Sequence, residues 1–522
     1  SVFKNNYGKS VHLFTAQTFL DYVRGSLPKP ITLDKFDDAT SRIGLGWFQK
    51  KDTINNELFG IEECTQYLKG LTWHLWLEIR SLLRQFNKKD LIKFLLKNND
   101  AIECDSVHWQ RTLKALLGLH DDSNNVYGVV LDKISSNNAA AIGTRIIMEM
   151  AICESRSEGG LKPNELDVSK LIMYAASIFQ YGNLSDAIHY EMVEPKIRIS
   201  PYGDVQFNHS FNDMVITPYG NKVQKSILDN TASNHEKEFL EVKPVKSIEQ
   251  IINSAFQKAW MSEFEISLDS LRSLIDFFED LGYEKSESVL IINKNELLKI
   301  SDLKGLRDEL SIFLQHFTLH ERDEWHLIPD GYKVGDISPW KFKRKLSTIA
   351  KPIVEIKETL FISPNLVRNG FKYVFSNAYD ATLDGSFFKS KEMKSWIGEQ
   401  RNLTGHKFNK DTADKMVELG WRAESDVKVS KILGQKLPKN YGDVDVLAWN
   451  PITKQIALIE CKDLEFAKSQ GEISKQIYEF RGMFKPDGSP DRLKKHLQRC
   501  EVLKENLGLL SRYIGVDAPL SI

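Results

Sequence analysis

The stretch Tyr441–Leu464, YGDVDVLAWNPITKQIALIECKDL, constrains this chain most, because it specifies two strands, their turn and the face their charges share. In Asp443–Ala448, Val444 and Val446 alternate with Asp443 and Asp445, the period-2 pattern of a strand with two distinct faces. Asn450-Pro451 marks a turn, since proline presets φ and pushes the residue before it out of the helical region. Gln455–Lys462 then carries Ile456, Ala457, Leu458 and Ile459, a short apolar run suited to a strand buried on both faces. Period 2 sets Glu460 and Lys462 on one side of that strand and Cys461 on the other.

Two carboxylates brought together by neighbouring strands repel each other and need a cation, and hard oxygen ligands select Mg2+ or Mn2+. An ammonium two residues from a ligating carboxylate can hold and polarise the attacking water. Asp, Glu and Lys around a divalent ion supply what phosphodiester hydrolysis requires: a nucleophile, a Lewis acid on the phosphoryl oxygen and a counter-charge for the developing anion. The competing reading of the same residues is a structural ion cluster.

GDVDV, followed fifteen residues after Asp445 by Glu460-Cys461-Lys462, resembles the PD-(D/E)XK nuclease superfamily with its restriction-endonuclease-like fold. The resemblance covers only the last quarter of the chain. It implies Asp445 as the metal-binding Asp, Glu460 as the second metal ligand and Lys462 as the catalytic lysine, with the backbone carbonyl of Cys461 as a further ligand. Asp443 stands where many members also carry an acid, and is a candidate to share or replace the role of Asp445. Many relatives carry a Glu just after an aromatic on the first helix; Asn409 holds that place here, which leaves the third acid unassigned, with Glu399 of WIGEQRN a loosely spaced candidate. Several branches place a Gln on the helix after the ECK strand, and Gln476-x-x-x-Phe480 resembles that arrangement, which adds Gln476 to the catalytic set.

An E-x-K triplet is cheap by itself, since about three are expected by chance in a chain of this length and composition. Glu194-Pro195-Lys196 has proline at its centre, Glu392-Met393-Lys394 sits in a charged helical stretch, and Glu241-Val242-Lys243 runs straight into Pro244. Glu355-Ile356-Lys357 lies in an apolar stretch below Gly335-Asp336, but the basic run Lys341–Lys345 intervenes where a short turn belongs. Only Glu460-Cys461-Lys462 joins a G-x-x-D strand, a turn and a buried run. Upstream, Phe408, Ala413, Met416, Val417 and Leu419 recur near helical spacing up to Gly420, and Val427, Val429 and Ile432 suggest a strand. Helix followed by three strands is the core order the resemblance implies, and Glu465–Arg481 reads as the next helix.

A chain of 522 residues is too long for one core and is expected to form about three domains. Its longest apolar candidate, Ala139–Cys153, is broken by Arg145 and Glu149, so no membrane span is expected. No secretory leader pattern opens the chain, which begins at Ser1 and is expected to be trimmed or part of something larger. Five scattered cysteines without a C-x-x-C pair argue against disulfides and zinc and point to a reducing cytoplasm. No P-loop is present. The net charge of −1 speaks against nucleic acid, yet Lys389–Arg512 holds 24 Lys and Arg against 18 Asp and Glu, an excess that suits phosphate contacts. Lys485, Arg492, Lys494, Lys495 and Arg499 are the candidate nucleic-acid contacts there, and Lys341–Lys345 is a second basic run; either also reads as a solvated face.

The N-terminal third has helical periodicity in Leu71–Phe86, Leu91–Leu96, Thr112–Leu119 and Leu171–Tyr181, with Trp73 and Trp76 expected in a core. Ile197–Gln206 and Met214–Val223 are near repeats with a P-Y-G-D/N turn, which predicts two β-hairpins. Helical patterning resumes from Ser247 to His320, where His316, His320 and His326 read as a solvated helix end.

The expected architecture is multidomain. A helical domain (1–190), a β-hairpin insert (191–245) and a mixed, mostly helical connecting region (246–384) precede a C-terminal α/β restriction-endonuclease-like domain (385–522). The expected activity is a Mg2+- or Mn2+-dependent nuclease. DNA is the expected substrate because most of the superfamily acts on it, and the expected setting is prokaryotic restriction or anti-phage defence. The alternatives are a non-catalytic nucleic-acid-binding scaffold or sensor, and a repair or recombination nuclease. Expected partners are nucleic acid and either further copies of the chain or a partner subunit of a defence system.

Overall fold

The computed structural model describes residues 18–33, 57–119, 123–200, 204–223, 225–226, 252–437, 439–462, 464, 467 and 469–516. They form two compact units. The first takes in the described residues up to Phe59 and those within Gln66–Gly182 and Lys196–Phe375, and the second those within Gly60–Thr65 and Asn183–Pro195 and from Ser376 onward. The chain is mainly helical. No helix among the described residues is long and apolar enough to cross a membrane.

Long helices build the first unit: α2 (Lys88–Leu119), α3 (Ser123–Glu154) and the greater part of α1 (Ile61–Leu83) and α4 (Glu165–His189). The separate helical stretches read at 91–96 and 112–119 belong to the single helix α2. Leu91, Ile92, Leu95 and Leu96 of α2 and Ile146, Ile147, Met150 and Ala151 of α3 are buried, so α2 and α3 share a core along their length. A Cβ on Gly143 would lie 2.9 Å from the Ile172 carbonyl oxygen, and only glycine lets α3 approach the α4 backbone this closely. Trp76 is buried as expected, whereas its neighbour Trp73, with ring centroids 4.5 Å apart, is half exposed.

Of the two expected hairpins, the first forms: β2 (Lys196–Ile199) pairs antiparallel with β3 (Val205–Gln206), and β1 (Glu57–Phe59) adds a third strand. The second does not. Met214–Val223 is helical, with a π turn over Asn212–Ile216. Short apolar runs such as M-V-I do not separate strand from helix by periodicity, and the wide turn accommodates Pro218, whose ring clashes with the i−4 carbonyl of a regular helix.

After α5 (Ser254–Phe264) and α6 (Leu268–Lys285), four strands form a sheet in the order β4-β7-β6-β5. These are β4 (Leu290–Asn293), β5 (Thr318–His320), β6 (Ile353–Ile356) and β7 (Thr359–Ile362), with α7 (Lys294–Leu303) and α8 (Arg307–Phe317) between β4 and β5 and α9 (Pro364–Tyr379) after β7. The basic run Lys341–Lys345 is not a uniform surface patch. Its Arg344 is buried, with Nη1 donating to Glu149 Oε2 at 2.5 Å while the Thr348 amide donates to Oε1 at 3.0 Å. A buried carboxylate needs such full compensation, because each charge loses its hydration.

In the second unit, α10 (Lys391–Glu418) leads into an antiparallel sheet, β8 (Arg422–Lys428), β9 (Asp443–Asn450) and β10 (Gln455–Ile459), with β9 central. Residues 429–433, read as strand, instead form the short helix α11 (Val429–Leu433), closed by Gly434 in the left-handed region. One sheet face packs Val446, Ala448 and Cys461 against Ala413 and Met416 of α10. The other packs Leu447, Trp449 and Ile456 against α11, α13 (Arg492–Glu505) and α14 (Leu507–Ile514) through Ile432, Leu503, Leu510 and Ile514. Helix α12 (Gln470–Tyr478) starts later than the expected 465, at a Ser469 cap, and its Gly471 amide donates to Asn183 at 3.1 Å.

Leu447→Ala leaves a hole in a fully buried position of the central strand and is expected to cost about 2–5 kcal/mol. Urea unfolding of the full chain followed by circular dichroism checks this as an earlier transition, and an unchanged midpoint contradicts the packing.

Candidate functional site

The β9–β10 hairpin pairs Gln455 with Asn450 and Ile459 with Val446. One step further, the same register sets Glu460 opposite Asp445. Cross-strand neighbours of an antiparallel pair lie about 4.5–5.5 Å apart at Cβ, so the two carboxylates meet where the ladder ends. Lys462 closes the gap: its Nζ lies 2.8 Å from Asp445 Oδ2 and 3.0 Å from Glu460 Oε1. The Cys461 amide donates to Asp445 Oδ2 at 2.9 Å, so the segment after β10 is tied back onto β9. The Asp445, Glu460 and Lys462 side chains keep 15%, 14% and 31% of their surface exposed, respectively, so the cluster is sheltered but open to solvent.

Two more cations reach Glu460 from α13. Arg499 Nη1 donates to Glu460 Oε2 at 2.5 Å while its Nε donates to the Tyr441 carbonyl at 2.9 Å, and His496 Nδ1 lies 3.3 Å from the same Oε2. Arg499 was expected to contact nucleic acid; here it grips a site carboxylate. His496 escaped sequence reasoning, since only the packing of α13 on the sheet brings it near a residue 36 positions away. Burial alone would raise the Glu460 carboxyl, but hydrogen bonds from His496 and Lys462 and the Arg499 charge hold it at about 2. His496, hydrogen-bonded to Cys500 and Glu460, is held up at about 9. Burial works against the Lys462 ammonium, yet Asp445 and Glu460 raise it above its ordinary value.

The remaining expected residues fall as follows. Asp443 is exposed at the start of β9, in register with Lys428, and takes no part in the Lys462 bridge. Glu399 accepts from Ser395 at 2.7 Å, ten residues before Asn409 on α10, which is about 15 Å of helix, and is not brought to Asp445 or Glu460. Asn409 is buried and donates to Asp426 at 2.7 Å, and His406 lies 2.9 Å from the same oxygen. Asp426 sits opposite Asp445 in the β8–β9 register with φ of 55°, a left-handed conformation inside a strand, and its carboxylate is held from α10. Gln476 is half-buried on α12. Burial pushes the Cys461 thiol up, which keeps it protonated against Thr412. Lys485 is paired with Glu479 at 2.8 Å, Arg492 lies 5.8 Å over the Phe480 ring, Lys494 lies 5.6 Å over Phe484, and Lys495 is exposed.

The rival triplet, Glu355-Ile356-Lys357, separates its charges. Glu355 pairs with Lys294 at 3.0 Å and His320 at 3.1 Å, while Lys357 turns away at φ 55° to reach Glu158. Among the described residues, no group of three His, Cys, Asp or Glu stands ready to hold a metal ion. The donor set at Asp445 and Glu460 nevertheless fits a hard divalent cation. Both groups are carboxylates, a cationic group already lies between them, and among the described residues Asp445 Oδ1 accepts no hydrogen bond.

The second unit is therefore a helix–sheet–helix sandwich that presents two facing carboxylates bridged by a lysine at the edge of its central hairpin. The chain belongs to the anti-phage protein Upx-like family, whose model matches residues 1–522, and this membership sets it in anti-phage defence. No curated protein and no solved structure matches the chain.

The ion cluster has a pH signature. Glu460, held low, contributes stability that is complete above about 4.5 and lost as pH falls toward about 2; His496, held high, contributes stability that is complete below about 6.5 and lost as pH rises through about 9. Thermal unfolding from pH 2 to 10 is expected to show both flanks in the unmodified chain and a flatter profile in Glu460→Gln. Parallel profiles contradict the pairing.

Proposed function

We propose that the chain is a divalent-metal-dependent nuclease that cuts nucleic acid, most simply DNA, as its act of anti-phage defence. The observation that carries this reading is the convergence of Asp445, Glu460 and Lys462 at the end of one hairpin, with Lys462 Nζ within 3.0 Å of both carboxylates. Asp445 and Glu460, with the carbonyl of Cys461, would hold Mg2+ or Mn2+. When bound, the ion supplies a Lewis acid for the phosphoryl oxygen and an activated water.

The chain's own groups do the rest. Lys462 would hold the attacking water and balance the charge that develops on phosphorus-bound oxygen. Arg499 and His496 add positive charge beside the carboxylates, which favours a phosphate at the site. Glu460 stays ionised throughout the physiological range, which a metal ligand requires. A second reading follows from the same contacts. Three cations already satisfy Glu460, which suits a non-catalytic nucleic-acid-binding scaffold that keeps the cluster for structure.

Incubation with plasmid, linear duplex, single-stranded DNA and RNA in Mg2+, Mn2+ or EDTA separates the two readings. Cleavage is expected with metal and not in EDTA, and Asp445→Ala and Lys462→Ala are each expected to lower it at least about a hundredfold while circular dichroism shows a folded chain. Undiminished cleavage in both variants rejects the assignment, and no cleavage of any substrate favours the scaffold.

A further inference from the structure

Between α12 and α13 the chain makes a tight excursion whose residues the proposed chemistry does not use. Phe484 and Met483 are 57% and 54% exposed on its stem, two adjacent large apolar side chains side by side at the surface. The excursion is stapled. Phe484 bridges Pro490, the Lys485 amide donates to the Ser489 carbonyl at 2.7 Å, and Met483 and Asp491 exchange hydrogen bonds at 2.9 and 3.0 Å. Buried Asp491 also caps α13 by accepting from the Lys494 amide at 2.7 Å, so one carboxylate fixes the stem to the helix that grips Glu460.

The exposed ring of Phe484 and the half-buried ring of Phe480 carry cations. Lys494 lies 5.6 Å over Phe484 and Arg492 lies 5.8 Å over Phe480. Of the nearby acids Glu479 pairs with Lys485, whereas Asp487, which accepts from Ser489, and Asp491, which caps α13, keep their negative charge. From Glu479 to Lys495 five Lys and Arg stand against three Asp and Glu, a net charge of +2. From Lys494 to Arg499, which touches Glu460, is five residues of α13, about 7.5 Å along its axis. The aromatic surface is tied to the start of α13 through Asp491, and Arg492, Lys494 and Arg499, which reaches Glu460, follow along that helix.

We propose that this stem is a stacking platform for an unpaired nucleic-acid strand, with Phe484 and Met483 against a base and Arg492 and Lys494 on the adjoining phosphates. The site then takes single-stranded or locally opened nucleic acid. A base offers its π-face only when it is out of the duplex, whereas a duplex presents phosphates, to which an exposed phenyl ring gives nothing. A protein partner fits the patch less well, because its apolar centre is small and ringed by cations. This inference rests on the nuclease reading for the place of cleavage, but not for binding.

The test is fluorescence anisotropy of the full chain in EDTA with labelled oligothymidylate, a duplex of equal length and an RNA strand, beside cleavage of the same oligonucleotides in Mg2+. Single strands are expected to bind at least tenfold more tightly than duplex. Phe484→Ala is expected to weaken single-strand binding about 5- to 100-fold, the range given by the loss of one stacked base. Phe484→Trp should restore the binding, with the unfolding temperature unchanged in both variants. Lys494→Gln should reduce the salt dependence by about one phosphate contact. DNA against RNA strands identifies the sugar the site accepts. Equal binding of duplex and single strand, no effect of Phe484→Ala, or no oligonucleotide binding at all overturns the platform. Phe484-dependent binding without cleavage keeps the platform and removes the nuclease, while Phe484-independent cleavage of duplex does the reverse.

Discussion

The mutual repulsion of Asp445 and Glu460 is the interaction on which the rest of the second unit depends. Two like charges about 4 Å apart at an effective dielectric of 20 repel by roughly 4 kcal/mol, a large fraction of a domain's net stability. The antiparallel register of β9 and β10 leaves the carboxylates no choice but to meet, so the surroundings must supply cations. Lys462 bridges them from the same strand end, and Arg499 and His496 arrive from α13. The α13 and α14 side of the sandwich therefore has two tasks: its apolar residues close the core, and its basic residues neutralise the edge of the sheet.

This compensation links stability to function. A divalent ion at the carboxylates would have to compete for the same oxygens as the three resident cations. The first unit solves a different electrostatic problem. Glu149 and Arg344 are both buried, and the Thr348 amide completes the set. Removing either partner strands a charge in a low dielectric, and the pair ties α3 to the loop ahead of β6.

Much of the second unit was legible because its signals are local. Val444 and Val446 between Asp443 and Asp445, the Asn450-Pro451 turn and the apolar Ile456–Ile459 run each act over a few residues, and the hairpin forms where they point, although β10 ends at Ile459 rather than Lys462 and only Ile456 within it is buried. The errors share one cause, which is that short apolar runs do not declare their period. Met214–Val223 alternates like a strand and is a helix, and Val429–Leu433 reads as strand but winds into a turn after Asp426 adopts positive φ. Arg344 looked like part of a basic surface because its partner Glu149 lies 195 residues away.

The sequence by itself determined the two strands, their turn and the shared face of Asp445, Glu460 and Lys462, since turn chemistry and a period of two operate between neighbours, while the pairing register was set in the structure. Tertiary structure alone decided what surrounds them. It placed His496 and Arg499 on Glu460, turned Asp426 toward Asn409 and His406, and left Glu399 beside Ser395 along α10. The physical reason is that these contacts depend on which helix faces cover the sheet, a choice made by the summed burial of Leu447, Trp449, Ile456, Leu503 and Leu510 rather than by any pattern along the chain.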